Sequence, residues 1–228
     1  PIDDIQLLNR YVANYGSPMQ YSSAANLPVQ NHLNEELQLV AETFRRFGKE
    51  NIEHLAESVH REDRDVPESI ISGLAELGCF GLSIPELYGG TATGTTLDNY
   101  GMVIATEELS RASLSIGGSL ITRPEILARA IENGGTDDQK QRLLPLIASG
   151  EYMSAVAVTE PDFGSDVAGI STNARRLPDG DWEINGVKTW CTFAGRADLL
   201  MVLARTNPDV SVGHRGLSIF VVEKDRAE

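Results

Sequence analysis

The spacing of the apolar residues changes near Gly150, and this change limits the possible folds more than any other feature of the sequence. From about residue 31 to residue 149, apolar residues recur at the intervals of amphipathic helices, as in Leu37, Val40 and Phe44. After Gly150 they gather in short runs rich in β-branched residues, separated by turn-forming residues. The sequence therefore predicts an α+β chain in which a helical region precedes a β-rich region.

These patterns predict three segments, which are an arm or linker over residues 1–30, an α-helical bundle domain over 31–150 and a β-domain over 151–228. A helix start is expected at Thr136, because Gln139 follows at the spacing of a capping box. The apolar β-runs are Ser154–Val158, Leu199–Leu203 and Leu217–Val222. The Asp179-Gly180 pair predicts a tight hairpin turn, so we expect a small antiparallel β-barrel or sandwich.

Charge and composition exclude several classes of protein. The chain has 33 acidic and 19 basic residues, for a net charge of −14, which would repel a phosphate backbone and disfavours nucleic acid as a partner. No apolar run approaches the roughly 20 residues that cross a bilayer, and no secretory signal pattern begins the sequence. We therefore expect a cytoplasmic protein without a membrane span.

Metal and nucleophile sites are not indicated. The two cysteines, Cys79 and Cys191, form no CxxC or Cys/His cluster, so neither a disulfide framework nor a metal site is expected. The adjacent carboxylates of Glu107 and Glu108 point about 100° apart on a helix, and Gly89-Gly90 is not a dinucleotide-binding fingerprint. The four histidines are dispersed without ligand spacing: His32, His54, His60 and His214.

Two motifs in the β-rich region carry the strongest signal. Residues 157–166 read AVTEPDFGSD, and residues 184–192 read INGVKTWCT. Each motif alone is a common strand exit or turn, because Thr, Gly, Ser, Asn and Asp are the usual turn formers. Their order and separation, together with the upstream segments 81–90, 106–110 and 135–145, resemble the acyl-CoA dehydrogenase family over roughly residues 33–225.

The resemblance implies an FAD site on the β-domain. A loop with a small residue such as Gly164 brings backbone groups and hydroxyls close to the polar edge of a flavin ring. Trp190 offers a flat face to the isoalloxazine, and Thr192 offers a hydroxyl and a backbone N–H near the reactive nitrogen N5. The implied cofactor-binding residues are Val156, Val158, Thr159, Gly164, Ser165, Trp190, Cys191 and Thr192.

The resemblance also implies part of an acyl-CoA site, because the family position at Ser165 reaches the substrate as well as the flavin. Residues 118–125 and 190–196 resemble a bacterial branch that includes methylsuccinyl-CoA dehydrogenase. A substrate of that branch is short, branched and carries a free carboxylate, with which Arg123 could pair. Plain surface charge is the alternative for Arg123. Cys191, Phe193 and Val156 depart from the commoner family residues.

The family's reaction is the removal of an α-proton and a β-hydride from an acyl-CoA thioester, and electrons usually pass to an electron-transferring flavoprotein. The catalytic base of the relatives lies in a C-terminal four-helix domain that we expect to be absent from this chain, so no catalytic residue is assigned. A homodimer or homotetramer is expected. The alternatives are an acyl-CoA oxidase or nitroalkane oxidase relative, a flavin monooxygenase of the same fold, and a non-catalytic subunit.

Overall fold

The helical region occupies the first two thirds of the described chain. A computed structural model describes residues 34–224. The predicted arm over residues 1–30 lies outside them. Six α-helices are described: α1 Glu35–Phe47, α2 Glu53–Arg61, α3 Glu68–Glu76, α4 Thr96–Ala112, α5 Ser119–Gly134 and α6 Asp137–Ala148. Wider π-helical turns, Gly48–Ile52 and Leu114–Gly118, lead into α2 and α5.

The helix starts follow local chemistry. At α6 the predicted capping box is confirmed, since the Gln139 amide donates to Thr136 Oγ1 at 3.2 Å and the Thr136 amide donates to Gln139 Oε1 at 2.9 Å. Pro67 stands immediately before α3, where its missing N–H leaves no intrahelical hydrogen bond unmade. The Thr136–Gln139 capping box satisfies two backbone N–H groups that the helix itself cannot pair.

Two apolar clusters form the core. The first fills the space among α1 to α5 and includes Phe44, Leu74, Leu109 and Met153. The second includes Leu127 of α5 and Leu144 of α6, and continues into the sheet through Leu199 and Met201. Burial of such side chains stabilises the fold by about 1.5–3 kcal/mol each.

A charged pair crosses the helical region beside the first cluster. Glu108 of α4 is buried, and Arg45 of α1 donates to both of its carboxylate oxygens, at 2.6 and 3.0 Å. Glu107, the adjacent carboxylate, is exposed. The two glutamates are therefore not a catalytic pair, and Glu108 serves to join two helices.

The β-rich region forms one mixed sheet, so the antiparallel arrangement expected for a small barrel or sandwich is wrong. Its strands are β1 Ser154–Ala157, β2 Asn173–Arg176, β3 Trp182–Asn185, β4 Leu199–Arg205 and β5 Leu217–Glu223. β4 pairs along its whole length with β5 in antiparallel fashion. On its other edge, β4 pairs in parallel first with β1 and then, at its end, with β2.

The mixed pairing of the sheet has a physical reason. The β2–β3 hairpin predicted from Asp179-Gly180 is confirmed, with Gly180 at a φ of 100° that glycine adopts readily. A hairpin fixes only the pairing of sequence neighbours. Which distant strand lies beside β4 depends on burial, and parallel partners such as β1 need a long connection that no local turn signal reveals.

The helical and β-rich regions are continuous in the structure. The described residues from Glu36 to Lys224 belong to one compact unit, in which the last α-helix ends at Ala148 and the first strand begins at Ser154. A domain boundary at 150/151 stays a prediction. Within residues 34–224, no helix is both long and apolar enough to span a bilayer.

Candidate functional site

The two sequence motifs lie side by side where β1 ends. The Thr189 amide donates to the Thr159 carbonyl at 2.9 Å, and Lys188 Nζ donates to the Val158 carbonyl at 2.9 Å. We call this contact, formed by residues 158–160 and 188–189, the motif junction. It brings together two stretches that are separated by the β2–β3 hairpin in sequence.

Glu160 is the centre of the motif junction. Its side chain is 2% exposed. The carboxylate accepts hydrogen bonds from the Ser171 amide and hydroxyl, both at 2.7 Å, and from the Thr172 amide at 2.8 Å. Lys188 Nζ adds an ion pair at 3.0 Å. Both carboxylate oxygens are therefore occupied, so Glu160 is suited to hold the loop and not to remove a proton.

These donors keep Glu160 ionised. Burial by itself would raise the pKa of the carboxyl group, but hydrogen bonds from Thr172 and Ser171 hold it well below its usual range. A buried carboxylate with several donors and a cation is satisfied, whereas either member of the Glu160–Lys188 pair alone would be costly.

The loop after Glu160 presents small polar groups to the outside. Glu160 and Phe163 exchange backbone hydrogen bonds at 2.9 and 3.2 Å, which closes a tight turn. Gly164 and Ser165 follow on the exposed side of this turn. Within residues 34–224, the hydroxyl groups of Thr159, Ser165 and Thr192 make no side-chain hydrogen bond, so these polar groups are uncommitted.

Trp190 directly follows the motif junction and points outward. Its side chain is 87% exposed, the highest value among the large apolar residues described. The backbone φ of Trp190 is 57°, in the left-handed region that a bulky residue rarely adopts. A flat aromatic face is thus presented to the outside at a cost in backbone energy.

Cys191 and Thr192 continue the turn. The Cys191 thiol is half-buried and donates to the Thr189 carbonyl at 3.6 Å. Burial raises the pKa of this thiol, and the nearby Lys188 charge lowers it by a smaller amount. The Thr192 amide donates to the Trp190 carbonyl at 3.0 Å. This amide, which the resemblance implied for flavin N5, is used inside the turn, and the Thr192 hydroxyl is the group left over.

Val156 and Val158 are half-buried and pack against the second apolar cluster. They support the sheet beneath the motif junction. Arg123 lies on α5, where its guanidinium donates to Thr122 Oγ1 at 3.4 Å. Glu125, two residues further along the helix, is paired with Arg129 at 2.8 Å. The structure joins the two motifs at residues 158–160 and 188–189. Within residues 34–224, no hydrogen bond links the Arg123 guanidinium to either motif.

Two features were not predicted from the sequence. Glu160 and Lys188 each lie in one of the two motifs, but the sequence does not show that they pair. Their contact at 3.0 Å in the structure shows it. Arg196 forms an ion pair with Glu68 of α3 across 128 positions of sequence, for which no local signal exists. The two pairs hold the ends of the segment from Lys188 to Arg196, which carries the exposed Trp190 side chain.

Comparison with known proteins supports the sequence resemblance. A model described as acyl-CoA dehydrogenase, N-terminal domain, matches residues 34–151, and one described as the middle domain matches residues 155–228. The chain is 44% identical over 193 residues to (2S)-methylsuccinyl-CoA dehydrogenase of Cereibacter sphaeroides, a match that covers 84% of this chain and 34% of that protein. This similarity agrees with the branch expected from residues 118–125 and 190–196.

Solved structures give the same result. A glutaryl-coenzyme A dehydrogenase complex with glutaryl-CoA superposes with a TM-score of 0.76 at 35% identity, covering 84% of this chain and 47% of that one. A glutaryl-CoA dehydrogenase from Mycobacterium smegmatis in complex with FADH2 gives 0.75 at 28% identity, covering 87% and 48%. The chain thus spans less than half the length of these relatives. On the two family models, the shared fold and the paired motifs, it belongs to the acyl-CoA dehydrogenase family.

Proposed function

We propose that this chain carries the FAD-binding surface and part of the acyl-CoA site of an acyl-CoA dehydrogenase. The observation that carries the proposal is the motif junction, whose hydrogen bonds join the strand exit at Thr159 to the segment that presents the exposed Trp190 indole. These residues fit a flavin, because an isoalloxazine needs a flat apolar partner and several polar contacts at its edge. A solved relative bound to FADH2 supports the same cofactor.

The proposed contacts follow from exposure. Thr159, Gly164 and Ser165 would line the polar edge of the ring, while Trp190 and Thr192 would cover one face. Cys191 would contribute backbone, since its thiol is turned to the Thr189 carbonyl. Val156 and Val158 would support the ring through the packed sheet beneath it.

The proposed reaction is the α,β-dehydrogenation of an acyl-CoA thioester to the 2-enoyl-CoA. Bound FAD would supply the acceptor for the hydride that leaves Cβ while a base takes the proton from Cα. We propose that the base comes from a C-terminal helical segment outside these 228 residues, because Glu160 and Glu108 are both fully engaged in ion pairs. An electron-transferring flavoprotein as acceptor, and a homodimer or homotetramer, belong to the same proposal.

We propose a short acyl group with a free carboxylate as the substrate. The relatives described above act, by their names, on methylsuccinyl-CoA and glutaryl-CoA, both of which carry such a group. Arg123 is the candidate partner, because it is half-buried and, within residues 34–224, its guanidinium makes one long hydrogen bond, to Thr122. Ser165 would contact the CoA side of the same substrate.

The test uses the complete enzyme, meaning this chain together with the segment that supplies the base. Apoenzyme is titrated with FAD, and the holoenzyme is then screened against acyl-CoA thioesters with an artificial electron acceptor. We expect a yellow holoenzyme that converts methylsuccinyl-CoA. Failure to bind FAD would point to a non-catalytic subunit, and oxygen-dependent peroxide formation would point to an oxidase.

A further inference from the structure

The turn that carries Trp190 has two strained positions. We define the 190–196 turn as the segment from Trp190 to Arg196. Trp190 has a φ of 57° and Phe193 a φ of 72°, and left-handed conformations cost a bulky residue free energy. Such conformations persist only where the surrounding structure fixes them, and they are concentrated at functional sites. The 190–196 turn must therefore be held by contacts outside itself.

One of these contacts is apolar. The Phe193 side chain packs against the first core cluster, beneath the turn. Backbone hydrogen bonds from Ala194 to Cys191 and from Ala197 to Phe193, both at 3.0 Å, close the turn internally. These contacts fix the middle of the turn, and Lys224 Nζ donates to the Gly195 carbonyl near its end at 3.3 Å.

The second contact is an ion pair at the end of the turn. Arg196 donates through Nη2 to Glu68 Oε2 at 2.9 Å and through Nε to the other carboxylate oxygen, so the pair is bidentate. Glu68 is the first residue of α3. Hydrogen bonding to Glu68 raises the pKa of Arg196 above its ordinary value, against the opposing effect of burial.

Asp198 extends this contact to the sheet. Arg196 Nη1 lies 3.4 Å from Asp198 Oδ2, and the same oxygen accepts from the Met153 amide at 2.8 Å, one residue before β1. Arg196 is thereby tied both to the start of a helix and to the entry of the strand that leads to Thr159. We call Arg196, Glu68 and Asp198 the turn brace.

We propose that Arg196 is a positioning residue, which acts through Glu68 to hold the Trp190 indole in a single orientation for the flavin. This inference rests on the proposed FAD site. Glu68 is 63% exposed and Arg196 is 20% exposed, so the carboxylate side of the pair is open to solvent. An ion pair that is solvated on one side adds little to overall stability, so stabilisation alone is a poor explanation for the brace. Two parallel hydrogen bonds from one guanidinium to one carboxylate fix the orientation of both groups. An indole that stacks on a planar flavin ring also needs a fixed orientation.

The experiment measures orientation and binding separately. The complete enzyme is labelled with 5-fluorotryptophan, and the Trp190 resonance is assigned by its loss in Trp190→Phe. In apoenzyme, Arg196→Gln and Glu68→Gln are expected to broaden or split the Trp190 fluorine signal. Each is also expected to raise the FAD dissociation constant about tenfold, and the double variant should be no worse than Arg196→Gln alone, because the two residues act as a unit.

The matched control is Arg142→Gln. Arg142 of α6 pairs with Glu223 of β5 at 2.7 Å, so it also joins a helix to the sheet, but it has no contact with the 190–196 turn among the described pairs. It should change neither measurement. An unchanged Trp190 signal and FAD affinity in Glu68→Gln, or equal changes in Arg142→Gln, would overturn the inference. Wild-type enzyme that binds no FAD would instead refute the proposed function, and the fluorine signal would still report on the brace.

Discussion

At the scale of single residues, Trp190 shows a side chain kept against its local backbone preference. The indole is 87% exposed, so it gains little from burial, yet its φ of 57° favours glycine. We therefore expect Trp190→Gly to be about 1 kcal/mol more stable than Trp190→Ala, the reverse of the usual order. Urea denaturation of both variants measures this difference.

The same two variants should bind FAD about tenfold more weakly than the wild type, because a stacked aromatic partner is lost. Trp182→Ala is the control, since Trp182 is also partly exposed but packs edge to face on Phe220 at a centroid distance of 5.4 Å. It should lose stability and keep FAD affinity. Equal losses of FAD affinity at the two positions would count against a flavin role for Trp190.

The buried carboxylate of Glu160 leads to a prediction about how the free energy of unfolding depends on pH. The folded pKa of Glu160 is lowered, so this carboxylate stabilises the fold above its unfolded pKa of about 4.5, and that contribution is lost as pH falls toward the folded pKa. At pH 7 we expect Glu160→Gln to cost about 3 kcal/mol, because Lys188 is left buried without its carboxylate. The gap between wild type and variant should narrow below about pH 4.

Urea titrations of the wild type and Glu160→Gln at pH 7 and at lower pH values measure how the difference between their unfolding free energies changes with pH. A double variant, Glu160→Gln with Lys188→Met, is the control, because it removes the stranded charge and should recover part of the loss. A gap between wild type and Glu160→Gln that widens on acidification would contradict the assigned direction of the pKa shift.

At the scale of elements, the start of α6 depends on a local cap. Thr136→Ala removes the acceptor for the Gln139 amide and is expected to cost about 1 kcal/mol of unfolding free energy. Thr136→Ser keeps a hydroxyl and should stay close to the wild type. Thermal or urea unfolding compares the two, and equal losses would mean that the methyl group, and not the cap, matters.

The elements also show where local prediction stops. The capping box and the β2–β3 hairpin involve residues close in sequence, and both were predictable from turn chemistry. The parallel pairing of β1 with β4 joins Ser154 to Leu199, and it produced the one wrong expectation about the sheet. Long-range pairing follows from which apolar faces can be buried together, and the sequence of one strand does not state its partner.

At the scale of the whole molecule, the proposed substrate preference depends on the positive charge of Arg123, which would pair with the substrate's free carboxylate. Arg123→Met in the complete enzyme should raise the KM for methylsuccinyl-CoA by about tenfold or more, because a charge-assisted hydrogen bond to the carboxylate is lost. Turnover of an uncharged acyl-CoA such as butyryl-CoA should be nearly unchanged. Arg142→Met is the control for the loss of a surface arginine, and an equal effect on both substrates would argue against a carboxylate site at Arg123.

The sequence by itself determined the order of a helical and a β-rich region, the family and the residue types at the site. It did so because periodicity, turn chemistry and the two motifs are local properties of neighbouring residues. Only the tertiary structure decided that Thr159 and Thr189 are hydrogen-bonded, that Glu160 and Lys188 form a buried pair, and that the 190–196 turn is braced by α3. Those contacts join residues far apart in the chain, and they exist only once burial of the core has brought their segments together.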